Sequence, residues 1–158
     1  MLSQSVYVSK MVEQYFPDIE TMRPNSATLT PYTSAEQFKS RIEAAYNQPK
    51  LGQSGFVAVD AKFLNEYQSI VGALLYVATV TRPDIAYTVA MLCRFVAMPT
   101  KDLYKDALNV LTYLHYNKEL GLRYEPQETN LTAMSDSDWS VRRSTSGSII
   151  QWHKACID

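Results

Sequence analysis

Residues 67–84, YQSIVGALLYVATVTRPD, decide the fold of this chain. Apolar side chains recur through this stretch at the spacing of an α-helix, which predicts one buried face. The helix should end near Val80, and a second helix should follow, with Thr81 as its cap and Pro83 in its first turn. The residues predicted to form the buried face are Ile70, Val71, Leu74, Leu75 and Ala78.

A second face of the same helix carries Gln68, Gly72 and Tyr76, which are four residues apart and therefore line up. A glycine inside a helix costs about 1 kcal/mol relative to alanine, so something should need close approach at Gly72. Either another helix packs against the bare backbone there, with Tyr76 as an ordinary half-buried aromatic, or the row lies against a nucleic-acid groove. The pattern alone favours helix packing.

Capping signals place further helices on both sides of this stretch. Pro17 should end a short amphipathic helix over residues 4–16, and Ser34 should cap another helix. Downstream, Thr100 should cap the last helix, and Gly121 should act as its C-terminal stop. Because short links join the three helices of the middle region, they should form a compact antiparallel bundle.

The period of the pattern changes after Gly121. Alternating β-branched and polar residues predict strands at residues 122–124, 131–136 and 146–152, separated by turn-rich segments. The predicted fold class is therefore α+β, with a small antiparallel helical bundle followed by a β-hairpin or short sheet.

Residues 67–87, YQSIVGALLYVATVTRPDIAY, closely resemble the thumb segment of copia-type retrotransposon Pol polyproteins, and the similarity continues through residues 94–124 and 135–150. TRPDIAY followed in order by SDSDW and RRSTSG is a specific signature of that family. The resemblance implies three segments: a post-palm segment and linker at 1–62, a thumb-like helical bundle at 63–121, and the truncated first strands of an RNase H-like domain at 122–158.

The resemblance also implies candidate site residues. Gln68, Gly72 and Tyr76 match the groove-contacting row in the similar thumb helix of retroviral reverse transcriptases, and Asp136 matches the first carboxylate of an RNase H site. Such a site needs several converging carboxylates to hold two Mg²⁺ ions, so Asp136 would bind metal only if other carboxylates completed it. Asp138 alternates onto the same face, but spacing alone gives it no metal role. We expect no cofactor in this chain, whereas the intact parent enzyme would use Mg²⁺.

The charge balance predicts weak binding of nucleic acid. Fifteen basic and sixteen acidic residues give a formal net charge of −1. Because affinity for nucleic acid comes largely from neutralised phosphates, an isolated piece should hold an RNA/DNA or DNA duplex only weakly. No apolar run approaches the roughly 20 residues that cross a bilayer, so no membrane partner is expected. Cys93 and Cys156 lack metal-ligand spacing and fit an intracellular, reducing compartment.

The resemblance implies a fragment of a reverse transcriptase with RNase H, whose thumb-like bundle contacts the primer–template duplex. We expect no catalysis by the chain alone, because its sequence contains no YxDD polymerase motif and ends before the remaining RNase H carboxylates. Its expected partners are the duplex and the missing palm and RNase H parts of the parent polyprotein. The alternative is a decayed or co-opted helical module that binds proteins and has no nucleic-acid role.

Overall fold

The computed structural model describes residues 2–21, 30–31, 34–50, 52–55, 57–123, 131–138, 145–152 and 155–156. Within these ranges helices come first and antiparallel strands follow, which confirms the predicted mixed helix and strand content. The helices are α1 (Ser5–Tyr15), α2 (Ala35–Tyr46), α3 (Ala61–Val80), α4 (Ala86–Cys93) and α5 (Lys101–Tyr116); the strands are β1 (Leu131–Asp138), β2 (Thr145–Trp152) and β3 (Ala155–Cys156).

The chain divides into two compact units. The helical unit runs from Gln4 to Leu120 and contains α1 to α5. The strand unit contains the described residues of 1–3 and of 121–158, including β1 to β3. No helix among the described residues is both long enough and apolar enough to cross a membrane.

Side-chain caps begin three of the helices. Ser34 at the start of α2 and Thr100 at the start of α5 each accept a hydrogen bond from the backbone N–H three residues on, as predicted. Asp60 caps α3 in the same way, through a 3.0 Å bond from the N–H of Phe63 to its Oδ2. This third cap was not predicted, because the apolar pattern of α3 becomes regular only near Tyr67.

The apolar core of the helical unit surrounds α3, which packs against α1, α4 and α5. Burial of Ile70, Val71, Leu74 and Ala78 confirms most of the predicted buried face, but Leu75 is 43% exposed. Helices α1 and α2 belong to the same core, although both lie in the predicted post-palm segment. Their contributions include Val8, Met11, Val12, Phe38 and Ile42.

The turn between α3 and α4 differs from its prediction. Thr81 does not cap the next helix; Arg82 holds the N-cap position of a short 3-10 turn at Pro83–Ile85 that leads into α4. The Thr81 hydroxyl instead donates a 2.8 Å hydrogen bond to Oε1 of Gln4. Thr81 therefore joins the start of α1 to the end of α3.

The strand unit contains a hairpin and one short added strand. Strands β1 and β2 pair antiparallel along their whole length, with Asp136 opposite Gly147. Strand β3 pairs only with the last two residues of β2, giving the order β1-β2-β3. The strands predicted at 131–136 and 146–152 are confirmed, and the connection at residues 139–144 lies outside the described residues.

Gly121 lies in the strand unit and does not stop α5, which ends at Tyr116. Beside it, Leu2 and Leu122 exchange two backbone hydrogen bonds of 2.8 and 3.0 Å. A Cβ on Gly121 would collide with the carbonyl oxygen of Leu2. A glycine is required here because two backbones approach closely, not because the chain needs a left-handed conformation.

Candidate nucleic-acid interface

The exposed side of α3 displays Gln68, Gly72 and Tyr76, which we call the α3 row. A Cβ built on Gly72 would have no heavy atom within 4 Å beyond its chain neighbours and the adjacent backbone of its own helix. Among the described residues, therefore, no helix packs closely against this glycine. The interpretation that another helix packs against Gly72, which the pattern alone favoured, is wrong, whereas Tyr76 is half-buried against Tyr7, as that interpretation expected.

The Gln68 and Tyr76 side chains of the α3 row each contact a residue outside α3. Tyr76 is 51% exposed, and its ring meets the edge of Tyr7 from α1 at a centroid distance of 5.2 Å. Gln68 donates a 2.9 Å hydrogen bond from Nε2 to the carbonyl oxygen of Val96. That bond orients the amide and leaves its carbonyl oxygen without a partner among the described residues. Both flanking side chains are therefore positioned in advance, which lowers the entropy lost when a ligand binds.

The α3 row has exposed apolar neighbours on its own helix, and apolar side chains of α1 are exposed as well. Leu75 and Val80 of α3 are 43% and 39% exposed, and Val6 of α1 is 70% exposed. From Phe63 to Val80, α3 contains no lysine or arginine. The part of α3 that carries the row therefore offers an open backbone, an amide and an aromatic ring, but no positive charge to neutralise phosphate.

Arg82, the nearest cation after α3, is buried and has a structural role. Its Nε and Nη2 donate to the two carboxylate oxygens of Asp84 at 3.0 and 2.8 Å, and its Nη1 donates to the carbonyl oxygen of Asn117 at 2.9 Å. The guanidinium also lies 5.3 Å from the ring centre of Tyr113, whose hydroxyl donates to Asp84 at 2.7 Å. The TRPD motif thus joins the α3–α4 turn to the end of α5.

The two charges of this cluster stabilise each other. Burial alone would raise the pKa of Asp84, but hydrogen bonds from Arg82 and Tyr113 hold that pKa below its usual value. The pKa of Arg82 is raised, since bonding to Asp84 outweighs the opposite effect of burial. Because its donors are engaged inside the fold, Arg82 is not available to a phosphate.

A second buried ion pair joins α2 to α5. Nη2 of Arg41 lies 3.2 Å from Oδ1 of Asp106, whose side chain is only 1% exposed. The two groups are close but not aligned for a hydrogen bond, so neither oxygen of Asp106 has a hydrogen-bond partner among the described residues. Burial raises the pKa of Asp106 to about 6, against the opposite effect of Arg41.

Asp136 lies exposed in the middle of β1, where its Oδ1 accepts a 2.9 Å hydrogen bond from the N–H of Ser137. The depression around it is lined by Ser135, Ser137, Ser146, Gly147 and Ser148. Across the described part of the chain, no three His, Cys, Asp or Glu residues come together to hold a metal ion. Asp136 is the one carboxylate that lines this depression, whereas a site for two Mg²⁺ ions needs several converging carboxylates.

The sequence of the chain is similar to retrotransposon Pol polyproteins. The chain is 25% identical over 162 residues to the retrovirus-related Pol polyprotein from transposon TNT 1-94 of Nicotiana tabacum, covering 99% of this chain and 11% of that protein. It is 41% identical over 76 residues to the corresponding polyprotein from transposon RE2 of Arabidopsis thaliana, covering 48% of this chain and 5% of that one. The chain belongs to the copia-type retrotransposon Pol polyprotein family.

A relative outside the Pol polyproteins also matches the chain. Secreted RxLR effector protein 161 of Plasmopara viticola is 36% identical over 96 residues, covering 58% of this chain and 68% of the effector. No family model matches the chain, and no solved structure does. The chain spans about a tenth or less of the length of the two Pol polyproteins above.

Sequence reasoning identified the α3 row but not the residues that support it. Tyr7 and Val96 are far along the chain from the row residues that they contact, and no periodicity indicates which helices meet. One missed feature did leave a signal. Asp106 follows the buried Leu103 by three residues and precedes the buried Val110 by four, so it interrupts an apolar helix face.

Proposed function

We propose that the helical unit is a thumb-like bundle that contacts a primer–template duplex through the α3 row, and that the chain by itself is not catalytic. The observation that carries the proposal is the open backbone of Gly72 within a long helix. An exposed helix-interior glycine costs about 1 kcal/mol relative to alanine, and no packing among the described residues offsets that cost. A ligand that must approach the backbone would account for the glycine.

The sugar–phosphate edge of a duplex fits this surface. Gly72 would admit the backbone of one strand, since any side chain there would hold the strand away from the helix. Gln68 would hydrogen-bond through its free amide oxygen, and Tyr76 would pack against a sugar. Contacts of this kind fix the position of a duplex and carry no sequence information, which suits a surface that must accept any template.

The absence of catalysis is the second part of the proposal. Asp136 is the candidate RNase H carboxylate by resemblance, and it lies among serine side chains. Hydrolysis of a phosphodiester by two metal ions requires several carboxylates in one place. We therefore assign the chain a binding role, with synthesis and RNA degradation belonging to other parts of the parent polyprotein.

Fluorescence anisotropy with a labelled RNA/DNA hybrid at low salt tests the proposal. The wild-type chain should bind weakly, and Gly72→Leu should lower the affinity at least about tenfold, because about 1.4 kcal/mol of contact is lost. Ala44→Leu, which places the same side chain on an exposed site of α2, should bind like the wild type. Circular dichroism at 222 nm should show unchanged helix content in both variants. Equal loss of binding in both would contradict the assignment of the α3 row.

One observation favours a different function, a helical module that binds proteins. The chain resembles a secreted effector over more than two thirds of the effector's length, and Val6, Leu75 and Val80 present an exposed apolar surface. This alternative predicts no measurable affinity of the wild-type chain for any duplex at low salt. The anisotropy experiment therefore separates the two functions before any variant is made.

A further inference from the structure

We propose that Lys10 of α1 and Gly72 of α3 together form a phosphate subsite, in which α1 supplies the positive charge that the α3 row lacks. The inference rests on the proposed function and names a residue that the resemblance does not assign. A surface that binds nucleic acid needs phosphate neutralisation, yet the α3 row has no cation and Arg82 is buried in its own ion pair.

Two contacts fix how α1 lies beside α3. The Tyr7 ring meets Tyr76, and the Tyr15 hydroxyl is 2.6 Å from Oγ of Ser69. Residue numbers rise along α1 while they fall along α3, so the two helices are antiparallel. Positions between Tyr7 and Tyr15 must therefore lie level with positions between Tyr76 and Ser69.

Helix geometry then places Lys10 beside Gly72. Lys10 follows Tyr7 by three residues, about 4.5 Å along the axis and about 60° around it, on the flank that touches Tyr76. Gly72 precedes Tyr76 by four residues, about 6 Å along α3 in the matching direction. Lys10 is exposed and takes part in none of the described ion pairs. In this arrangement the flexible Lys10 side chain lies opposite the open backbone of Gly72.

A phosphate bound between Lys10 and Gly72 would use both residues. Gly72 lets the sugar–phosphate backbone approach α3 closely, and the Lys10 ammonium provides a charge-assisted contact to a phosphate oxygen. Because the lysine is a point charge on a long stem, it fixes no sequence and tolerates small shifts of the strand. The arrangement also accounts for weak binding, since one phosphate neutralised beside the row adds little affinity.

The test is the salt dependence of binding to the labelled RNA/DNA hybrid, measured for the full chain. Lys10→Gln should lower the affinity about fivefold at low salt and reduce the slope of log affinity against log salt by about 0.9, the value for one phosphate contact. Lys10→Arg should keep the wild-type slope. Lys39→Gln, which removes an exposed lysine from α2, should also leave the slope unchanged.

A double-mutant cycle decides whether Lys10 and Gly72 serve the same phosphate. The effect of Lys10→Gln should largely disappear in the Gly72→Leu background, because the strand no longer approaches that part of α3. Full additivity, or a wild-type slope for Lys10→Gln, would overturn the inference while leaving duplex binding intact. Absence of binding by the wild-type chain would instead overturn the proposed function.

Discussion

Replacing Asp106 with asparagine should remove a pH dependence from the stability of the helical unit. The pKa of this carboxyl rises from an ordinary value of 3.8 to about 6 in the fold, chiefly because the side chain is buried. A difference of about 2 pH units corresponds to about 3 kcal/mol of differential stability between the two protonation states. Arg41 and Lys105 lower the pKa and Asp102 raises it, but burial exceeds their combined effect.

The sign follows from a folded-state pKa that is higher than the unfolded one. The stabilisation from protonated Asp106 is fully present below pH 3.8 and is lost as the pH rises through about 6. The wild type should therefore lose up to about 3 kcal/mol of unfolding free energy relative to Asp106→Asn over this window. Taking the difference between the two proteins cancels the opposite contribution of Asp84.

Urea unfolding followed by circular dichroism at 222 nm, repeated across this pH range, measures the difference. Glu43→Gln is a control, because this carboxylate of α2 is exposed and is not among the charges that shift the pKa of Asp106. The control should parallel the wild type. If the wild type instead gains stability relative to Asp106→Asn as the pH rises, the ion pair with Arg41 outweighs the burial of charge, and this reasoning is refuted.

Three further substitutions test other contacts. Arg82→Lys should lower the unfolding free energy by about 2 kcal/mol, because an ammonium cannot reproduce the forked contact with Asp84 and the bond to Asn117; an unchanged urea midpoint would contradict this. Gly121→Ala should speed amide hydrogen exchange at Leu2 and Leu122, whereas Gly147→Ala, where a Cβ meets open space, should leave both rates unchanged. Gly72→Ala should raise the unfolding free energy by about 1 kcal/mol, and a loss of stability would show that a packing contact had been missed.

Local patterns predicted much of the helical unit. The period of the apolar residues located α3, and hydroxyl side chains at Ser34 and Thr100 marked two helix starts, because both signals depend on residues only a few positions apart. The prediction that Thr81 caps the next helix failed because it, too, considered only nearby residues. Its hydroxyl is chemically a good cap, but its partner in the structure is Gln4, 77 positions away in the chain.

The sequence predicted which residues share the candidate site, but not whether that site is exposed. The spacing of Gln68, Gly72 and Tyr76 put the three residues on one helix face, but spacing could not say whether that face was covered. Only the three-dimensional packing shows that no neighbouring element covers Gly72 among the described residues, and the proposed position of Lys10 depends on the contacts between α1 and α3. Such long-range pairings arise from the summed packing of several helices and leave no periodic trace in the sequence.

The central claim is that the α3 row contacts a duplex, and NMR with the isotope-labelled chain tests it most directly. Adding an RNA/DNA hybrid at low salt should shift the amide signals of Gly72 and Tyr76 and of Lys10 on α1. Signals of Arg82, which is buried, and of exposed Lys39 on α2 should stay in place. Shifts confined to other surfaces, or none at all at saturating duplex, would contradict the account.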